Sequence, residues 1–217
     1  MSAKVFNHKL IELPQAERID GFYQTPDGRF PSVTTVVGWK KNQFFAKWRA
    51  ENPKEAVRTR NRGTKLHSLI ESYILNKFEE KEKDPYTLDL FNQIQIQIDK
   101  IDNVRSIEGF LWSKPLRLAG RVDCIAEYDG ELAVIDFKTS TKIKPEEWIE
   151  NYFVQEMFYA AAYYELTNIP IKKLITLMVT PEGEVKVFDK RNKGDYIKLL
   201  VRYIKEFVSN NTKQDGE

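Results

Sequence analysis

Apolar positions recur at two periods along the chain, and the changes between them lay out its elements. Phe22 to Gln24 and Arg29 to Pro31 flank Thr25-Pro26-Asp27-Gly28, a turn signature, so a small hairpin is predicted. Ser32 can cap a short helix to about Gly38; a second is predicted near Gln43 to Ala50, and Asn52-Pro53 ends it. From about Arg60 to Phe78 the residues Leu66, Leu69, Ile70, Tyr73 and Ile74 keep the 3.6-residue period of an amphipathic helix. Glu79 to Lys83 reads as an exposed charged loop. Asp84-Pro85 opens the next helix, with Leu88, Phe91, Ile94, Ile98 and Ile101 as its stripe. Gln93 to Ile98 alternates like a strand, but its flanks and length favour helix. Strands are then predicted over Val104 to Ser113, Leu118 to Tyr128 and Glu131 to Thr139. A helix over Pro145 to Leu166, strands near Leu174 to Val179 and Val185 to Asp189, and a helix from Asp195 to Val208 complete the pattern.

Within this frame one turn sets a register. Asp129-Gly130 favours a two-residue hairpin turn, because both central residues need positive φ. Counting back from it, Tyr128 faces Glu131, Ile125 faces Val134, and Asp123 faces Asp136. Directly paired side chains bring their Cβ atoms to about 4.5–5.5 Å, where like charges repel. Two carboxylates so placed imply a cation between them, and an oxygen-rich site of this kind suits Mg²⁺ or Mn²⁺. Period two puts Lys138 on the same face as Asp136, with the Phe137 carbonyl between them as a further oxygen donor. On the preceding helix His67 and Glu71 stand four residues apart and share a face.

These residues carry a resemblance. An acid about a dozen residues before an apolar strand ending in D-x-K is similar to the core signature of the PD-(D/E)XK nuclease superfamily. Gly63-Thr64-Lys65-Leu66-His67 followed by Glu71, the strand Ile107-Glu108-Gly109, and Gln155 to Tyr159 (Q-x-x-x-Y) resemble further motifs of its RecB-like exonuclease branch, mitochondrial and phage members included. The likeness covers about residues 28 to 180. It implies an α/β fold with a restriction-endonuclease-like core, a central mixed sheet flanked by helices, and an N-terminal helical elaboration. It also implies a metal-dependent DNA exonuclease. Asp123, Asp136 and the Phe137 carbonyl would hold the ion, His67 would complete the sphere and favour Mn²⁺, and Glu108 would serve a second metal or its water. Lys138 would either orient the attacking water or stabilise developing negative charge. Gln155 and Tyr159 would touch a phosphate or hold Lys138, or else simply cover the sheet with a buried Tyr hydroxyl. Two other activities share the core: a structure-specific or restriction-type endonuclease, and a silent DNA-binding subunit.

Composition narrows the rest. At 217 residues, 41% hydrophobic and 30% charged, the chain suits one domain, here divided as a flexible start (1–20), an N-terminal hairpin and helices (21–83), a catalytic core (84–189) and a C-terminal helix and tail (190–217). No run approaches the roughly 18–20 apolar residues of a membrane span. The first twenty residues carry no presequence pattern, so a cytoplasmic protein, bacterial or phage-derived, is expected. Cys124 is the only cysteine, which excludes an intrachain disulfide and a four-cysteine iron–sulfur cluster. Net charge is only +2, yet Lys40 to Lys65 holds nine bases against Glu51 and Glu55, a local excess of 9 − 2 = +7. Trp39, Phe44, Phe45 and Trp48 are interleaved with those charges. Cations that hold phosphates and rings that stack on bases make a track for single-stranded DNA, with Arg58, Arg60, Arg62 and Lys65 leading into the His67 helix. For the rings themselves the favoured reading is the buried face of an amphipathic helix.

Overall fold

The computed structural model describes residues 4–79, 84–191 and 194–211. The expected N-terminal hairpin forms a small sheet of β1 (Arg18–Ile19), β2 (Phe22–Thr25) and β3 (Gly28–Pro31). The helices α1 (Val33–Phe44), α2 (Ala46–Glu51), α3 (Pro53–Ile74) and α4 (Pro85–Ile98) follow. α1 runs past its predicted end, while α3 both starts and ends before the predicted limits. Gly38 does not stop α1, and α3 starts at Pro53, where a proline in the first turn forfeits no hydrogen bond. Asp84 caps α4 by accepting from the Thr87 N–H at 3.2 Å. The predicted loop at 80–83 and the tail at 212–217 lie outside the described residues.

A five-stranded sheet, in the order β4 (Ile101–Ser113), β5 (Leu118–Tyr128), β6 (Glu131–Thr139), β7 (Lys173–Val179) and β8 (Val185–Arg191), forms the centre. β6 and β7 pair in parallel and the other neighbours antiparallel, so the sheet is mixed. The parallel pair requires a crossover, which α5 (Glu150–Thr167) supplies. Alternation along β6 divides the core. Ala133, Ile135 and Phe137 pack with α3 and α4, whereas Val134 packs with α1, α5 and α6 (Gly194–Asn211). Among the described residues no helix is long and apolar enough to cross a membrane.

The chain start departs from expectation. Residues 4–13 do not stand free; they dock on the outer edge of β4. Val104 N–H donates to the Asn7 carbonyl at 2.8 Å, and Lys9 and Ile11 donate to the carbonyls of Val104 and Arg105. Phe6, 2% exposed, joins the core and meets Tyr73 edge to face. The physical cause is an edge strand whose unpaired backbone groups need partners.

Candidate metal centre

The Asp129-Gly130 turn forms as its chemistry requires, with φ of 51° and 77°. Register follows: Tyr128 pairs with Glu131 and Ile125 with Val134. The ladder ends at Cys124 opposite Ile135, one pair short of the two aspartates. Beyond it the Asp123 carboxylate takes the place of a backbone partner, and Oδ2 accepts from the Phe137 N–H at 2.9 Å.

On the other side of Asp123 stands Glu108, flanked by the pairs Ile107–Cys124 and Gly109–Val122. Its φ of 48° lies in the left-handed region, which costs a non-glycine residue about 1–2 kcal/mol. Gly109 makes that turn possible, because a Cβ there would lie 2.0 Å from Ser106 Oγ. Backbone strain held in place at a cluster of acids is a mark of a functional position.

α3 contributes His67. Its Nε2 lies 2.7 Å from the Phe137 carbonyl, which can only accept, so in the neutral ring Nε2 carries the proton and Nδ1 the free lone pair. A backbone carbonyl on the far nitrogen is the usual orienting partner of a metal-binding histidine. Nδ1 lies 3.7 Å from Asp123 Oδ2, a separation compatible with two donors each about 2.1 Å from one small cation. Donor atoms of His67, Glu108 and Asp123 all fall within 4.8 Å of one another. One nitrogen and two carboxylates, with a fixed tautomer, fit Mg²⁺ or Mn²⁺. A cleft of about 410 Å³ lined by Gly63, His67, Glu71 and Glu108 opens onto them. Burial, aided by the Asp123 charge and opposed by His67, pushes the Glu108 carboxyl up to about 7.

Behind this cluster lies a second layer. Asp136, 2% exposed, is ion-paired through Oδ2 with Lys138, and its Oδ1 accepts from Gln155 Nε2 at 3.2 Å. Burial raises the Asp136 carboxyl against the pull of Lys138, and the neighbouring Asp123 charge raises it further. For Lys138, burial alone would favour the neutral amine, but Asp136 and Asp123 outweigh it and hold the ammonium above its ordinary range. Its Nζ also sits 5.2 Å from the centre of the Tyr152 ring. Glu156 is fully buried, with one oxygen accepting from the Thr176 hydroxyl, and burial followed by the Asp136 charge raises its carboxyl well above normal.

The remaining expected site residues take the following places. Asp136 lies outside the three-donor cluster of His67, Glu108 and Asp123, with Oδ2 beside Lys138 and Oδ1 accepting from Gln155. The Phe137 carbonyl accepts from His67 Nε2. Glu108 falls in one cluster with His67 and Asp123. Gln155, 7% exposed, holds Asp136 and neither Lys138 nor a phosphate. Tyr159, 1% exposed, donates its hydroxyl to the Arg121 carbonyl at 2.7 Å, so it cannot reach substrate. Sequence reasoning misses Glu156 and Thr176. The available signal is an acid standing in the otherwise apolar run of α5.

Among the bases, Arg58 and Arg60 are exposed on α3, whereas Lys65 pairs with Asp84 at 3.1 Å. Arg62 Nε and Nη2 are buried and make no hydrogen bond among the described residues. Phe44, Phe45 and Trp48 are 79%, 46% and 42% exposed, so these three rings do not form a buried helical face.

Residues 37–191 match the family model of the PD-(D/E)XK nuclease superfamily. The chain is 32% identical over 122 residues to human mitochondrial genome maintenance exonuclease 1, covering 54% of this chain and 35% of that protein. The mouse protein of the same name is 29% identical over 161 residues, covering 65% and 46%. One polypeptide of the ATP-dependent helicase/nuclease of Clostridium beijerinckii is 27% identical over 93 residues, 42% of this chain and 8% of that one. The chain thus spans between about a third and a half of the length of the mitochondrial relatives it matches. With a match over more than half its residues and a mixed sheet bearing Asp123, Asp136 and Lys138 at its heart, the chain belongs to the PD-(D/E)XK nuclease superfamily.

Proposed function

We propose that the protein is a divalent-cation-dependent DNA exonuclease that acts on single strands with a free end. The observation that carries this reading is the convergence of His67 Nδ1, Glu108 and Asp123 within 4.8 Å, beside the Lys138 ammonium. His67, Glu108 and Asp123 would hold Mg²⁺ or Mn²⁺, which when bound supplies charge neutralisation at the phosphate and acidifies a water. The imidazole donor makes Mn²⁺ the stronger competitor. Because Asp136 keeps Lys138 protonated, the lysine acts as a fixed positive donor to developing negative charge and not as a base. Gln155 in turn holds Asp136, so the lysine stays aimed. The exposed bases of α3, Arg58 and Arg60, give the sugar–phosphate backbone an approach path. Similarity to the mitochondrial exonucleases supports the preference for ends, and the exposed rings before α3 support the preference for unpaired bases.

Digestion of end-labelled linear and circular single-stranded DNA with Mg²⁺, Mn²⁺ or EDTA tests the proposal. Linear strands should shorten with either cation and survive in EDTA, while circles stay intact. Nicked circles would favour an endonuclease on the same core.

A further inference from the structure

A second cleft of about 410 Å³ is lined by Arg62, the neighbour of Gly63 in the cleft at the metal cluster. Its floor is Thr139 to Thr141, the residues directly after Lys138. α3 runs beside this segment at Gly63, where a Cβ would meet Thr139 Oγ1 at 3.6 Å, an ordinary packing distance. Arg62, one residue earlier, lines the cleft with its Nε and Nη2 out of solvent and without a hydrogen-bond partner among the described residues. A guanidinium desolvated in this way is costly unless an anion meets it. The charged side chains of the lining are Arg49, Arg62 and Lys144 against Glu55, so the cleft is positive.

The other wall is aromatic. Phe45 and Trp48 line it while remaining 46% and 42% exposed. α2, which carries Trp48, buries none of its six residues, so core packing does not explain why a tryptophan is placed there. Arg62 and His67 are five residues apart, about 7.5 Å along the helix axis. Positive charge on one wall and flat rings on the other suit a phosphate and an unstacked base.

We propose that this cleft is the subsite for the nucleotide next to the one at the metal cluster. Arg62 with Lys144 takes its phosphate, and Trp48 with Phe45 stacks its base. The inference rests on the nuclease reading, but it is tested by binding without turnover.

The experiment measures fluorescence anisotropy of a labelled twelve-residue thymidine strand with the full chain in EDTA, across a salt series. Trp48→Ala should weaken binding about five- to a hundredfold, the range of one base stack, with no change in salt slope. Trp48→Phe should keep most of the affinity. Arg62→Gln should lower the slope of log K against log salt by about 0.7, the signature of one lost phosphate contact on a single strand, and Arg62→Lys should retain it. Lys198→Gln, on the exposed face of α6, should match the parent. Affinity within twofold of the parent for Trp48→Ala, or an unchanged slope for Arg62→Gln, overturns the subsite. Failure of the parent to cut linear DNA with Mg²⁺ or Mn²⁺ would instead remove the nuclease reading, whatever the binding data show.

Discussion

Replacing Glu108 by Gln should stabilise the cation-free protein while destroying its activity. The carboxyl is raised from 4.5 to about 7, first by burial and then by Asp123. Between those values the folded protein holds a proton that the unfolded chain has released, so stability falls as pH rises through the window. Above it the full cost is at most about 3.4 kcal/mol, at 1.36 kcal/mol per pH unit. Partial hydration of the half-buried carboxyl reduces this to about 2 kcal/mol. For a chain of this size that corresponds to about 4–8 °C in Tm. Thermal unfolding in EDTA should therefore show Glu108→Gln melting above the parent at pH 8, with the two curves converging near pH 4.5. Added Mn²⁺ should raise the Tm of the parent far more than that of the variant. A variant no more stable than the parent at pH 8, or a gain that persists unchanged at pH 4.5, would refute the claim that repulsion and burial of this acid are stored in the fold.

Lys138→Ala should lower cleavage about 10²–10³-fold while DNA affinity in EDTA changes little; single-turnover digestion and anisotropy together check this, and undiminished cleavage removes the assigned role. Gln155→Ala leaves Asp136 Oδ1 without its donor and should slow the chemical step about tenfold or more, since hydrogen bonds to charged groups contribute about 1.5–3 kcal/mol. A change in KM with kcat preserved would instead place Gln155 in substrate binding. Phe6→Ala should destabilise the fold by about 3–5 kcal/mol in denaturant titration, the usual cost of emptying a core aromatic site. A loss below about 1 kcal/mol would mean that the N-terminal segment contributes little to the core.

Local chemistry determined a good deal. The Asp129-Gly130 turn can be read from two residues because positive φ at both is a property of those residues, and with it came the register from Tyr128–Glu131 through Ile125–Val134. The 3.6 period located α3 and put His67 on a known face, and alternation put Asp136 and Lys138 together on one side of β6. What the sequence could not decide is how those groups share their hydrogen bonds. Asp123 ends the ladder because its carboxylate competes for the Phe137 N–H, and that competition exists only once β5 and β6 lie side by side. Asp136 is met by Lys138 and by Gln155, the latter from a helix nineteen residues away. Glu108 stands in the cluster on a left-handed backbone, next to Gly109, where Ser106 leaves no room for a Cβ. Likewise the first residues dock only because β4 proves to be an edge strand. Periodicity reports which face a side chain occupies, whereas partner choice among buried polar groups is settled by distance and desolvation in the assembled fold.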